Sequence, residues 1–134
     1  MDKLPYFKFF TGDWAKDPHL QTCSLGARGL WVELLILMFN SDKKGYLLIA
    51  GKSPDLPTLA LMVRASIEDC TAFFGELEVK KVFKKDAQGV IYSKKMIQED
   101  EEHQKKSAYG KMGGNPKLMV NFNQSFDRLF KTSS

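Results

Sequence analysis

The stretch Lys80–Met96 reads KKVFKKDAQGVIYSKKM and decides the fold. Two runs rich in strand-forming residues, 81–85 and 90–96, flank the tetrapeptide Asp86-Ala87-Gln88-Gly89. Glycine at the end of such a loop supplies the positive φ that tight connections between strands require. The pattern therefore predicts a β-hairpin with lysines on both strands.

Two short helices are predicted immediately before the hairpin. Asp55 or Ser53 can cap a helix over residues 56–63, and Ser66 with Asp69 matches a capping box that starts the next helix. Only two residues separate these segments, so the turn between the helices is tight. Two helices joined in this way and followed by a hairpin predict an α+β fold with a winged helix-turn-helix.

Upstream, the most apolar segment begins at Ser24, which can cap a helix running to about Asn40. Apolar residues cover almost its whole circumference, which is typical of a central core helix. The aromatic segment Pro5–Phe10 predicts a short N-terminal strand, and Thr11–Thr22 predicts a loop. Tyr46–Ala50 is a further candidate strand.

Downstream of the hairpin, the chain becomes polar, helical and then rich in glycine. We expect a winged-helix domain over residues 1–96, followed by an exposed helix and a Gly-rich basic linker over 97–117. Residues 118–134 form a C-terminal tail that could be a docking segment.

The composition indicates one folded domain without a membrane span. Apolar residues make up 43% of the 134 residues, and the formal charge is +4, which is mildly basic. Neither a signal peptide nor an apolar run long enough to cross a bilayer is visible. Cys23 and Cys70 stand in apolar surroundings, so we expect reduced buried thiols and a cytoplasmic protein.

Several motifs resemble a known family. They are the start Pro5–Phe10, then Gly12-Asp13-Trp14 with Asp17, the helix start Ser24–Trp31, and the closing segment Lys106–Gly114. Over roughly residues 4–117 the chain resembles the N-terminal domain of phage and prophage replication proteins, a group that includes replisome organisers and DnaD-like primosomal proteins. The resemblance implies a winged helix that binds DNA at a replication origin or recruits helicase-loading factors.

The predicted second helix of the pair is acidic. It carries Glu68, Asp69, Glu76 and Glu78, and neither Lys nor Arg occurs between Ser66 and Val79. Phosphates repel such a helix, because duplex DNA carries one negative charge per about 1.7 Å of its axis. Any DNA is therefore expected on the hairpin and on the helix that follows it.

Ten of the chain's 20 Lys and Arg residues lie within residues 80–117, and they supply the candidate phosphate ligands. The nucleic-acid-binding candidates are Lys80, Lys81, Lys84, Lys85, Lys94, Lys95, Lys105, Lys106 and Lys111. The hairpin lysines have an alternative role, because lysine on an exposed strand also prevents edge-to-edge aggregation. The absence of arginine from the hairpin favours contact with the DNA backbone over base reading.

A second hypothesis is a protein-interaction module, either a homodimer or a partner of a helicase loader. An aromatic N-terminal strand could pair across a two-fold axis, and an acidic helix could contact another protein. The candidate contact residues are Tyr6, Phe7, Phe9, Phe10, Glu68 and Glu76.

Other chemistries find no support in the sequence. Gly51-Lys52-Ser53 lacks the preceding glycine of a phosphate loop, because Tyr46 stands at that position. The two cysteines and two histidines match no zinc-binding spacing. We therefore expect no catalytic residue, no metal and no cofactor.

Overall fold

The computed structural model describes the backbone of residues 5–112 and the side chains of residues 5–108. The elements in this range are α1 Thr11–Lys16, α2 Pro18–Gln21, α3 Leu25–Phe39, α4 Leu56–Val63, α5 Ile67–Val79, β1 Lys84–Lys85, β2 Ile91–Tyr92 and α6 Lys94–Met112. Helices combined with an antiparallel sheet confirm the α+β class. One structural unit spans Pro5–Gln98, and a second begins at Glu99 within α6. The predicted tail over residues 118–134 lies outside the described residues.

Helix α3 is the central element of the core, as its composition predicts. The hydroxyl of Ser24 accepts a hydrogen bond from the backbone N–H of Ala27 at 3.2 Å and so caps the helix. Buried side chains recur at intervals of three and four residues along α3, at Ala27, Leu30, Leu34 and Met38. Four further apolar residues of α3 pack against this cluster, at Trp31, Leu35, Leu37 and Phe39, whereas Leu25 and Ile36 are exposed.

The two helices before the hairpin begin at the predicted caps. The Asp55 carboxylate accepts from the N–H of Thr58 at 2.9 Å, and the Ser66 hydroxyl accepts from the N–H of Asp69 at 3.0 Å. Arg64 ends α4 in the left-handed conformation with φ of 61°. This residue turns the chain within two positions, which makes the connection between α4 and α5 as tight as predicted.

The sheet is a short hairpin extended by a third segment. β1 and β2 are antiparallel, and Gly89 has the predicted positive φ of 82°. Tyr46 forms an isolated bridge to Tyr92, and the N–H of Leu47 donates to the carbonyl of Ile91 at 2.8 Å. The candidate strand over Tyr46–Ala50 is thus reduced to this pairing at its start, because the chain then turns tightly between Ile49 and Lys52.

The N-terminal strand prediction is wrong. Residues 5–10 adopt no strand and pair with no other strand in the described part of the chain. Their rings pack individually instead: Phe7 lies on Phe39 with centroids 5.5 Å apart, and Phe9 lies on Trp14 at 5.2 Å. Side-chain packing therefore outweighs the strand propensity of residues 5–10, because a strand without a neighbouring strand leaves its backbone groups unpaired.

The predicted loop over residues 11–22 is also corrected, because it contains α1 and α2. Asp17 accepts hydrogen bonds from the N–H groups of His19 and Leu20 at 2.9 and 3.3 Å, and Pro18 occupies the first helical position. This arrangement is a cap followed by proline, which favours a helix start. The short helix brings Leu20 to 2% exposure in the interior.

Replacing Leu34 by Ala tests the central position of α3. Leu34 is 0% exposed, so we expect a loss of about 2–5 kcal/mol in the free energy of unfolding, measured by urea denaturation. The control is Ile36→Ala on the same helix, where the side chain is 39% exposed and a much smaller loss is expected. Equal losses for the two variants would contradict the assignment of the buried face.

Candidate nucleic-acid interface

The two lysines of β1 point to opposite faces of the sheet. Lys85 pairs with Ile91, which is 6% exposed and faces the core, whereas Lys84 pairs with Tyr92. The Lys85 ammonium lies 3.3 Å from the Glu78 carboxylate at the end of α5. One of the two predicted phosphate ligands on this strand therefore has its charge paired within the fold.

The opposite side of the sheet carries a group that we call the outer sheet face, formed by Lys84, Tyr92, Tyr46 and Lys43. The first three are cross-strand neighbours, and such neighbours project to the same side. The two tyrosine rings lie 6.1 Å apart with planes inclined by 32°, and the Lys43 ammonium lies 4.1 Å from the centre of the Tyr46 ring. Both lysines are exposed and both tyrosines are half-buried.

Lys80 and Lys81 do not belong to the hairpin as predicted. They form the connection between α5 and β1, where Lys80 is the C-terminal cap of α5 and Lys81 has a positive φ of 57°. The carbonyl oxygen of Lys80 lies 2.9 Å from Nδ1 of His19, which helps to fix this turn. Both lysines are exposed, and neither forms an ion pair with a carboxylate in the part of the chain that is described.

Lys94 and Lys95 are corrected from the second hairpin strand to the first turn of α6. The strand stops early because the Ser93 hydroxyl accepts from the N–H of Met96 at 3.2 Å and caps the helix. Lys95 forms an ion pair with Asp13, and its ammonium lies 3.7 Å from the centre of the Phe10 ring. Its charge is thus neutralised within the Pro5–Gln98 unit.

The remaining candidate lysines lie in the second unit. Lys105 and Lys106 are exposed on α6. Lys111 belongs to the same helix, but its side chain lies outside the described residues. The predicted single set of nine lysines is therefore divided. Lys80, Lys81 and Lys84 lie between the end of α5 and the end of β1 and have no carboxylate partner among the described residues, and the same is true of Lys94 in the first turn of α6.

The acidic residues of α5 have different surroundings. Glu68 and Asp69 are exposed in its first turn, where the helix dipole favours negative charge. Glu76, a predicted partner contact, accepts hydrogen bonds from both the N–H and the hydroxyl of Ser24, each at 2.7 Å. These hydrogen bonds lower the pKa of Glu76, and they join α5 to the start of α3.

The aromatic residues predicted as partner contacts are also divided. Tyr6, Phe9 and Phe10 remain 60%, 47% and 41% exposed. Phe7 is half-buried against Phe39 and contributes to the fold. The exposed aromatic surface that could meet a partner is therefore provided by three side chains.

The buried thiols are not arranged as a reactive or metal-binding group. Cys23 and Cys70 are free and buried, and burial raises the pKa of both thiols. Within residues 5–108, no group of three or more His, Cys, Asp and Glu side chains is placed to hold a metal ion. No helix in the described range is both long enough and apolar enough to cross a membrane.

Comparisons with protein-family models, curated proteins and solved structures found no match to this chain. The sequence reasoning missed the outer sheet face, whose signal was present but weak. Tyr46 and Tyr92 stand in two of the segments predicted as strands, and each adjoins an aliphatic residue, Leu47 after Tyr46 and Ile91 before Tyr92. Only the pairing register brings the two rings together.

Replacing Glu76 by Gln tests the link between α5 and α3. Because the folded-state pKa of Glu76 is lowered, its ionised form stabilises the protein above the unfolded-state pKa of about 4.3. We expect the variant to be less stable than the wild-type protein at neutral pH. The difference in free energy of unfolding between the wild-type protein and the variant should shrink as the pH falls through the folded-state pKa of Glu76.

Urea denaturation across this pH range measures the effect. Glu33→Gln is the matched control, because Glu33 is exposed on α3 and forms no hydrogen bond or ion pair in the described residues. The stabilising role of the Glu76 carboxylate would be contradicted if the loss in free energy of unfolding caused by Glu76→Gln did not change with pH.

Proposed function

We propose that the Pro5–Gln98 unit is a winged helix-turn-helix that binds the phosphate backbone of duplex DNA through the connection between α5 and β1 and through Lys84. The order α3, Tyr46 pairing segment, α4, α5 and hairpin is the order of elements in winged helices. The observation that carries the proposal is the run of unpaired charge at Lys80, Lys81 and Lys84 directly after α5. Ammonium groups in such a position can replace the counterions of successive phosphates.

The exposed start of α5 does not suit major-groove reading. In a helix-turn-helix the second helix contacts base edges with its N-terminal residues. Here that turn presents Glu68 and Asp69, which phosphates and the electronegative groove would repel. The proposal is therefore backbone contact without base reading, in which affinity depends strongly on salt and weakly on sequence.

The biological setting that we propose is the initiation of DNA replication in a phage or prophage. This part of the proposal is supported by the resemblance of the aromatic start, the Ser24–Trp31 helix start and the Lys106–Gly114 segment to phage-type replication proteins. A domain that holds duplex backbone without base reading is suited to positioning a larger assembly on DNA. No catalytic step is assigned to it.

A second candidate function is a dimerisation or recruitment module that does not bind DNA directly. It is favoured by the exposure of Tyr6, Phe9 and Phe10, because three exposed aromatic side chains in five residues are typical of an interface. The acidic first turn of α5 would suit a basic surface on a helicase loader or a second copy of the chain.

Neutralising the three lysines tests DNA binding. The variant combines Lys80→Gln and Lys84→Gln with Lys81→Asn, because asparagine tolerates the positive φ at position 81. Fluorescence anisotropy with labelled duplex DNA at several salt concentrations gives the slope of log K against log salt. We expect the slope to fall by about three units, since each phosphate contact contributes about 0.9.

The matched control neutralises three exposed lysines elsewhere, Lys8, Lys16 and Lys52, and has the same net charge. It should keep a slope close to that of the wild-type protein. Equal slopes for the two triple variants would refute the assignment. If the wild-type protein binds no duplex even at low salt and light scattering shows a stable dimer, the interaction module is the better account.

A further inference from the structure

We infer that the outer sheet face, formed by Lys43, Tyr46, Lys84 and Tyr92, binds single-stranded nucleic acid by stacking bases on the two tyrosines. The inference rests on the proposed nucleic-acid function and adds to it a second kind of ligand with its own site. Sequence-independent binding of single strands combines aromatic rings that accept bases with cations that follow the backbone. The outer sheet face brings both kinds of group together.

The geometry of the face is fixed by backbone pairing. Tyr92 lies between its two neighbours, opposite Lys84 on one side and Tyr46 on the other. Neighbouring strands lie about 4.8 Å apart, so the three residues form a row that spans roughly 10 Å. The Lys43 ammonium lies over the Tyr46 ring, so that each tyrosine has a neighbouring lysine, Lys84 for Tyr92 and Lys43 for Tyr46.

The side chains of Tyr46 and Tyr92 are only partly engaged in contacts within the fold. Both side chains are half-buried, which leaves part of each ring accessible, and neither hydroxyl forms a hydrogen bond with another described residue. On the opposite sheet face, Leu47 and Ile91 are 3% and 6% exposed and belong to the core, and Lys85 lies beside Ile91. Alternation along the strands thus directs Leu47 and Ile91 inward and the two tyrosines outward.

The charge of the face matches a polyanion. Lys43 and Lys84 are exposed and have no carboxylate partner in the described residues. The nearest acid along β1 is Asp86, whose carboxylate accepts hydrogen bonds from the N–H groups of Gln88 and Val90, each at 2.9 Å. That carboxylate is therefore committed to closing the hairpin loop.

The test uses full-length chains carrying Tyr46→Leu or Tyr92→Leu and labelled oligonucleotides of about 15 nucleotides, a length within the range of known single-strand sites. Oligothymidylate and oligouridylate are both titrated, so that DNA and RNA as the source of the strand are distinguished. We expect each substitution to weaken single-strand binding roughly 5- to 100-fold, as loss of one stacked base does. Duplex affinity should stay near that of the wild-type protein.

The matched controls are Tyr46→Phe and Tyr92→Phe, which keep the ring and should retain single-strand affinity within about threefold. A merely structural role for the rings would instead reduce duplex and single-strand binding together. Unchanged single-strand affinity in both leucine variants would overturn the inference while leaving duplex binding by Lys80 and Lys81 intact. Duplex binding with an unchanged salt slope in the lysine variant, together with weaker single-strand binding in the leucine variants, would refute the duplex assignment and leave this inference intact.

A measurement on the wild-type protein covers the case in which a leucine variant fails to fold. Oligonucleotides that contain 5-bromouracil are crosslinked to the protein by ultraviolet light, and the attachment site is found by mass spectrometry. Crosslinks at Tyr46 or Tyr92 are the expected result. Crosslinks confined to Tyr6, Phe9 and Phe10, or no crosslink at saturating oligonucleotide, would overturn the inference.

Discussion

Burial of α3 is the constraint on which the rest of the Pro5–Gln98 unit depends. Leu34 and Met38 are 0% exposed, and the flanking apolar residues of the helix pack against the same cluster. A helix that is apolar on nearly all sides needs cover on nearly all sides, since exposed apolar area costs about 25 cal/mol per Å². Helix α5 and the sheet supply that cover, through Leu77 and Ile91 among others.

The same constraint determines which lysines remain available to a ligand. Covering α3 brings the end of α5 close to β1, and Glu78 then pairs with Lys85. At the start of α6, Lys95 is paired with Asp13 of α1. Lys80, Lys81 and Lys84 at the turn after α5 and on β1, and Lys43 on the outer sheet face, remain exposed without a carboxylate partner among the described residues. Under the proposed function, phosphate is attracted by this local group of charges, because the net charge of the chain is only +4.

Local signals were sufficient to predict much of this fold. Ser24, Asp55 and Ser66 are strong helix caps whose hydrogen bonds involve residues three positions away, and Gly89 satisfies a local requirement for positive φ. Aromatic composition at residues 5–10 misled the prediction, because strand formation also needs a partner strand that the sequence does not reveal. The cap formed by Asp17 and Pro18 was present in the sequence and was overlooked.

The candidate site was predicted less well, because it depends on register and on long-range pairing. Alternation along β1 places Lys84 and Lys85 on opposite faces of the sheet, yet both are lysines, so the sequence does not distinguish them. The contact of Glu76 with Ser24 joins residues 52 positions apart, and the contact of Lys95 with Asp13 joins residues 82 apart. Such pairs depend on the tertiary fold and have no local signature.

The central claim is that nucleic acid meets the turn after α5 and the outer sheet face, and that it avoids the acidic start of α5. Mapping backbone amide shifts of the ¹⁵N-labelled protein during titration with duplex and then single-stranded DNA tests this most directly. The account predicts shifts at Lys80, Lys81 and Lys84 with duplex, extending to Tyr46 and Tyr92 with single strands. Shifts centred on Glu68 and Asp69, or none with either ligand, would contradict it.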